Sequence, residues 1–108
     1  MAKKILPLRE KSSKDHPSRL DTSGTFTITN QLGLHARAAA QFVKIASRYQ
    51  AEIKVLKDSC EVNGKSIMGI LMLAASKGSV ITIQGSGEDS KEAVRELGNL
   101  VNSKFGEA

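Results

Sequence analysis

The chain has no tryptophan, one tyrosine, three phenylalanines and a single cysteine among its 108 residues. One cysteine, Cys60, excludes an intramolecular disulfide and fits a reducing compartment. No apolar run approaches the length of a transmembrane helix, and the first residues lack the apolar run of a signal peptide. We therefore expect a soluble cytoplasmic protein that does not enter a membrane.

The net charge of +5 raises the question of nucleic-acid binding, but the basic residues are unevenly distributed. Residues 1–24 hold six of the sixteen lysines and arginines, which leaves ten basic and eight acidic residues in 25–108. A nearly neutral domain with few aromatic residues lacks the basic stripe and the stacking side chains typical of nucleic-acid binding. We expect no nucleic-acid partner.

A change in composition near residue 25 divides the chain. Residues 1–24 are rich in Lys, Ser, Asp and Pro, and burial of their few apolar side chains could not offset the entropy of ordering them. The sequence predicts a mobile basic N-terminal extension over 1–24 and one folded domain over 25–108. A domain of this length holds one core and has no second lobe to form an enzyme cleft.

Hydrophobic periodicity predicts seven elements in the domain. Alternating β-branched segments indicate strands, and apolar residues at helical spacing indicate helices. The order β-α-β-β-α-β-α favours an α+β fold, in which three helices cover one face of a four-stranded, mainly antiparallel sheet. In chain order, the predicted elements are strand 25–29, helix 36–49, strands 52–55 and 60–62, helix 67–75, strand 79–84 and a final helix from residue 89 or 90 to 105.

His35 follows a glycine-containing loop and immediately precedes the first predicted helix. The first amide N–H groups of a helix have no intrahelical acceptor, so this position favours an anion, and the positive helix end favours the neutral, nucleophilic ring. Arg37 is close enough in sequence to hold a bound phosphate with a fork of donors. On spacing alone, a purely structural histidine that caps the helix is the more frequent alternative, and it stays open here.

The segment Gly33-Leu34-His35-Ala36-Arg37 resembles the active-site motif of the HPr family, the histidine-containing phosphocarriers of the bacterial phosphoenolpyruvate-dependent phosphotransferase system. The segment Lys65-Ser66-Ile67-Met68-Gly69 is similar to the family's regulatory serine segment, and the resemblance extends over about residues 25–105. It implies an HPr-like open-faced β-sandwich. At one position the chain departs from the family, because Ala38 stands where proline is usual; alanine suits the first helical turn.

The resemblance implies that His35 accepts a phosphoryl group on Nδ1 from phosphorylated Enzyme I, with Arg37 as the phosphate partner. The group then passes to IIA components in sugar uptake and its regulation, so the protein is a monomeric carrier with a transient phosphohistidine and not an autonomous enzyme. Ser66 matches the regulatory phosphorylation site, which implies an HPr serine kinase/phosphorylase as a further partner. No cofactor or metal is implied, and His16 has no ligand spacing to His35 or Cys60.

The short helix predicted over 67–75 is apolar almost all round, so some of its side chains must remain exposed. By resemblance this helix lies beside the active loop, and we expect Ile67, Met68 and Leu71 to form a partner-docking surface. Ser66 is also predicted to cap the helix, and Cys60 to pack as a small apolar residue. Two alternatives stay open: a carrier of the nitrogen-related phosphotransferase branch, and a mainly regulatory protein-binding module that acts through Ser66.

Overall fold

The structure, a computed structural model, describes residues 21–107. Four strands and three α-helices follow one another in the predicted order β-α-β-β-α-β-α, and a short 3-10 turn, Lys104–Gly106, comes after the last helix. No helix within residues 21–107 is long and apolar enough to cross a bilayer. The elements are β1 (Asp21–Thr27), α1 (Ala36–Ala46), β2 (Glu52–Lys57), β3 (Cys60–Asn63), α2 (Ile67–Met72), β4 (Val80–Ser86) and α3 (Ser90–Asn102).

The strands form one sheet in the order β1-β4-β2-β3, and every neighbouring pair is antiparallel. Side chains alternate between the two faces of the sheet, as strand geometry requires. Ile81 and Ile83 of β4 are fully buried beneath the helices, whereas Val80 and Gln84 on the opposite face are exposed. The α+β open-faced β-sandwich predicted from the sequence is therefore confirmed.

Close packing between α3 and β1 depends on one glycine. A Cβ on Gly98 would lie 2.3 Å from the ring of Phe26, so only a residue without a side chain lets the helix approach the strand at this point. Leu97 and Val101 on the same helix are buried in the core. This packing places the end of α3, and the turn that follows it, against the helical face of the sheet.

The first strand begins four residues earlier than the sequence predicts. Asp21 pairs with Ser86 and Thr27 with Val80, so β1 covers 21–27 and not 25–29. The small polar residues at 21–24 belong to the strand because β4 supplies the partners for their backbone hydrogen bonds. Intrinsic strand propensity does not include this tertiary contribution. The predicted domain boundary between residues 24 and 25 thus cuts a strand. The rest of the predicted extension, 1–20, lies outside the described residues, and its character stays a prediction.

The helices are shorter than their apolar patterns predict. The first ends at Ala46 and the second at Met72, and the final helix ends at Asn102, where the chain enters the 3-10 turn. After α2, Ala74 adopts a positive φ of 50°, which a continuing α-helix does not allow.

The prediction that Cys60 packs as a small apolar residue was wrong. Its side chain is exposed at the start of β3, which is an edge strand of the sheet.

Candidate active site

The loop between β1 and α1 lies directly on the chain segment that follows α2. Leu34 N donates to Ala75 O at 2.9 Å. Gly33 has a positive φ of 67°, and a Cβ there would lie 2.5 Å from Ala75 O and 2.8 Å from Ser76 Cα. Glycine is therefore required at position 33 both for the backbone conformation and for the close contact.

His35 occupies the N-cap position of α1. Its backbone is extended, with φ −77° and ψ −179°, and its carbonyl oxygen accepts the first helical hydrogen bond from Ala39 N at 2.8 Å. His35 thus stands at the cap position, as the structural alternative expects, but its imidazole makes no capping hydrogen bond. Within residues 21–107, the amides of Ala36, Arg37 and Ala38 have no acceptor. Amides without acceptors at the positive end of a helix favour a bound anion.

Glu107, from beyond the 3-10 turn, reaches the same ring. Its Oε2 hydrogen-bonds His35 Nε2, and the two side chains are 15% and 27% exposed, respectively. Because an ionised carboxylate can only accept, the proton of this hydrogen bond belongs to Nε2. In the neutral ring, Nδ1 then carries the lone pair, and it has no hydrogen-bond partner in the described part of the chain.

Asn30 secures the other oxygen of the same carboxylate. Its Nδ2 donates to Glu107 Oε1 at 3.0 Å and to Gly33 O at 2.9 Å. The hydrogen bond from Asn30, then that from His35, hold the pKa of Glu107 below its ordinary value, and the nearby charge of Arg37 acts in the same direction. Glu107 is therefore ionised at neutral pH.

A strained turn brings Glu107 to this position. Lys104 and Phe105 both have positive φ values, 61° and 56°, a conformation that costs about 1–3 kcal/mol for each such residue. The Phe105 side chain is only 2% exposed, and its burial offsets this strain by about 2–3 kcal/mol. Glu107 N also donates to Lys104 O at 2.9 Å. The turn thus directs the carboxylate back toward the start of α1.

The site is an open pocket of about 490 Å³, lined by Gln31, Leu32, His35, Arg37 and Glu107. Arg37 is exposed and forms no ion pair with the described residues, so its guanidinium is available to a phosphate. Among residues 21–107 no three His, Cys, Asp or Glu side chains lie close enough to hold a metal ion. His16 is outside that range. The pocket can present a nucleophilic ring nitrogen to a partner protein and hold the anion that the ring receives.

Ser66 caps α2, as the sequence predicts: its Oγ accepts from Gly69 N at 3.0 Å. It lies at the end of α2 near the C-terminus of α1, because Lys65 Nζ donates to Tyr49 O at 2.6 Å. The opposite end of α2 leads to Ala75, which contacts the His35 loop. Ser66 thus precedes α2, and the segment that follows the other end of α2 contacts the active loop.

The residues expected to form the docking surface differ in exposure. Met68 is 68% exposed and Ile67 43% exposed, whereas Leu71 is half-buried and packs against the core. Sequence reasoning missed three further exposed large apolar residues: Met72 at 71%, Leu32 at 67% and Val80 at 53%. Leu32 also lines the pocket, so exposed apolar surface borders the site itself.

Sequence reasoning also missed Asn30 and Glu107. Glu107 is 72 residues from His35 along the chain, and no spacing rule connects the two. Asn30 precedes the glycine of the motif by three residues, so an amide beside a tight loop was the one local signal available.

Comparison with known proteins shows the family to which this chain is similar. Residues 22–103 match the family model of the PTS HPr component phosphorylation site. The chain is 52% identical over 80 residues to a phosphocarrier protein HPr of Neisseria meningitidis, covering 74% of this chain and 90% of the relative. It is 42% identical over 82 residues to a phosphocarrier protein NPr of Shewanella violacea, covering 76% and 90%.

Solved structures give the same result. HPr-C-His from Thermoanaerobacter tengcongensis superposes with a TM-score of 0.78 at 47% identity, covering 81% of this chain and 98% of that one. An HPr from the same organism, solved as a dimer, has a TM-score of 0.65 at 50% identity, covering 74% and 92%. The range matched by the family model includes the pocket histidine, the helix that it precedes and all but the first residue of the four-stranded sheet. This chain therefore belongs to the HPr family of phosphocarrier proteins of the phosphotransferase system.

Proposed function

We propose that this protein accepts a phosphoryl group on Nδ1 of His35 from phosphorylated Enzyme I and passes it to IIA components in sugar uptake and its regulation. The observation that carries the proposal is the contact between His35 Nε2 and Glu107, which leaves Nδ1 with the lone pair. Unpaired amides at the start of α1, and Arg37 beside them, support an anion bound at that nitrogen. The protein then acts as a carrier with a transient phosphohistidine and not as an autonomous enzyme.

Transfer begins when the Nδ1 lone pair attacks the phosphorus atom of the donor's phosphohistidine. A nitrogen–phosphorus bond forms at His35 while the donor's nitrogen–phosphorus bond breaks, and the electron pair of the broken bond leaves with the donor ring. The His35 ring gains positive charge in this step, which the ionised Glu107 carboxylate stabilises through Nε2–H. The helix amides and Arg37 hold the phosphoryl oxygens. Passing the group to a IIA component repeats the exchange with His35 as the donor.

We also propose that Ser66 is a regulatory phosphorylation site for an HPr serine kinase/phosphorylase. Its place at the cap of α2, two residues before exposed Met68, supports this role, because a charge added at Ser66 would lie near apolar surface that partners can cover. The proposed docking surface consists of exposed Ile67 and Met68 together with half-buried Leu71. The protein is proposed to act in the cytoplasm as a monomer, and size-exclusion chromatography with light scattering distinguishes a monomer from a dimer.

The second candidate function is the same chemistry in the nitrogen-related branch of the phosphotransferase system. A relative that bears the name NPr supports it, since that protein is 42% identical to this chain over 82 residues. The two candidates are separated by competition. When the phosphorylated protein is mixed with equal amounts of a sugar-specific IIA and a nitrogen-branch IIA, the sugar branch predicts preferential transfer to the first.

The test of the carrier mechanism is removal of the nucleophile. His35→Ala should fold normally and take up no phosphate from Enzyme I and labelled phosphoenolpyruvate, whereas the unsubstituted protein gains an acid-labile phosphate. His16→Ala is the matched control, and its labelling should equal that of the unsubstituted protein. Undiminished labelling of His35→Ala would contradict the mechanism.

A further inference from the structure

Asn30 is fully buried at the edge of the active site, and its amide is only half satisfied. Nδ2 donates to Gly33 O at 2.9 Å and to Glu107 Oε1 at 3.0 Å. The amide oxygen, Oδ1, is also buried and has no hydrogen-bond partner in the part of the chain that the structure describes. Both neighbours of Nδ2 are acceptors, which determines the orientation of the amide.

A buried acceptor without a partner destabilises the fold, so Asn30 lowers the free energy of unfolding relative to an apolar side chain of the same shape. What this side chain adds over an apolar one is its two donated hydrogen bonds. One holds the loop that carries His35, and the other holds the carboxylate that contacts the His35 ring. A glutamate bonded only through one oxygen keeps freedom about its side-chain torsions; a second bond to the other oxygen removes it.

We propose that Asn30 is a positioning residue for phosphoryl transfer, which acts by binding Glu107 Oε1 so that Oε2 faces Nε2–H of His35. The ring is thereby held with Nδ1 directed into the open pocket. Asn30 is also the main cause of the lowered pKa of Glu107, which keeps the carboxylate ionised and able only to accept. This inference rests on the proposed function and adds a residue to it.

The test is a double-mutant cycle on the rate of phosphorylation by Enzyme I and phosphoenolpyruvate, at a temperature where all variants are folded. Asn30→Ala and Glu107→Ala should each slow phosphorylation roughly three- to tenfold, the range given by loss of one ordinary hydrogen bond. If Asn30 acts through Glu107, adding Asn30→Ala to Glu107→Ala should slow the reaction no further. Thr29→Ala, an exposed change in the same loop, should leave the rate unchanged.

Two results would overturn the proposal. One is an unchanged phosphorylation rate in Asn30→Ala. The other is that Asn30→Ala slows phosphorylation by the same factor in the unsubstituted protein and in Glu107→Ala. The second would mean that Asn30 acts only through the Gly33 loop. Asn30→Asp, which has the same shape without the donor, replaces Asn30→Ala if the latter fails to fold. It should slow transfer, and adding Glu107→Gln should restore part of the rate, because the glutamine amide can then donate to the new carboxylate.

A measurement without any partner separates this inference from the proposed function. In the unsubstituted protein the Nε2–H proton of His35 should be protected from exchange and visible in proton–nitrogen NMR spectra, and in Asn30→Ala it should be lost or broadened. Protection equal in both proteins would overturn the role of Asn30 while leaving the carrier mechanism intact. Labelling of His35→Ala would overturn the carrier mechanism whatever this spectrum shows.

Discussion

At the scale of single residues, the site depends on a carboxylate that is held from two sides. Asn30 and His35 bind different oxygens of Glu107, and Arg37 lies close enough to add a favourable charge. The Glu107 side chain is only 15% exposed, and hydrogen bonds from Asn30 and His35 stabilise its negative charge. A group held in this way contributes to folding as well as to chemistry, because its pKa differs between the folded and unfolded chain.

Glu107→Gln should therefore change how stability depends on pH. The folded-state pKa of Glu107 is lowered, so its ionised form stabilises the fold above the unfolded pKa of about 4.3, and this stabilisation is lost as the pH falls through the folded pKa. Glu107→Gln should melt below the unsubstituted protein at pH 7, and the two melting temperatures should converge as the pH falls below about 4.3. Thermal unfolding followed by circular dichroism at several pH values measures this.

Glu88→Gln serves as the control, because Glu88 is an exposed carboxylate with no ion pair to the described residues. It should leave the melting temperature close to that of the unsubstituted protein at each pH. A constant difference between Glu107→Gln and the unsubstituted protein from neutral to acid pH would contradict the link between this carboxylate and the fold.

At the scale of elements, α2 connects the capping serine to the active loop. Its first turn is closed by Ser66, its inner face is anchored by buried Ile70, and its outer face carries Met68 and Met72. A helix of six residues has little stability of its own, so cap and anchor together define where the exposed methionines lie. We therefore expect a charge at Ser66 to act on the docking face, since Met68 lies two residues further along the same helix.

Ser66→Asp should fold as well as the unsubstituted protein and transfer more slowly. Aspartate is itself a good N-cap and the helix N-terminus favours its charge, so the fold is preserved. A charge beside the docking face opposes its desolvation and repels acidic groups on a partner, which weakens association. Transfer from Enzyme I measured against carrier concentration should show a higher KM and the same rate at saturation.

Ser66→Ala is the matched control for charge. It removes the cap and should lower the free energy of unfolding by about 1 kcal/mol, yet it should transfer at the normal rate. If Ser66→Asp has the same KM as the unsubstituted protein, Ser66 is a helix cap alone and its regulatory role is excluded.

At the scale of the whole molecule, β1 joins the sheet to the last helix. Its first residues pair with β4, Thr22 Oγ1 lies 3.0 Å from Ser90 Oγ in α3, and Ser86 Oγ donates to Asp21 Oδ1 at 2.7 Å. Because α3 leads through the 3-10 turn to Glu107, this edge of the sheet supports the element that completes the site. The folded unit begins at least as early as Asp21.

A variant that begins at Asp21, after an initiating methionine, should keep both its melting temperature and its phosphorylation rate. The composition of residues 1–20 predicts no contribution to the core, whereas residues 21–24 complete the pairing with β4. A variant that begins at Thr25 should lose more than about 4 °C in melting temperature, the shift that 1 kcal/mol produces in a domain of this size. Differential scanning calorimetry and a transfer assay on both variants decide where the domain starts.

The sequence by itself determined the features that depend on a few neighbouring residues. The order of the elements, the helix start after His35 and the cap at Ser66 follow from periodicity and capping, which act within about one helical turn or one strand. Only the tertiary structure decided which distant groups meet: the early start of β1, the exposure of Cys60, and the contact of Asn30 and Glu107 with His35. These features depend on strand pairing and on the strained turn after α3, where packing of Phe105 acts against the local backbone preference.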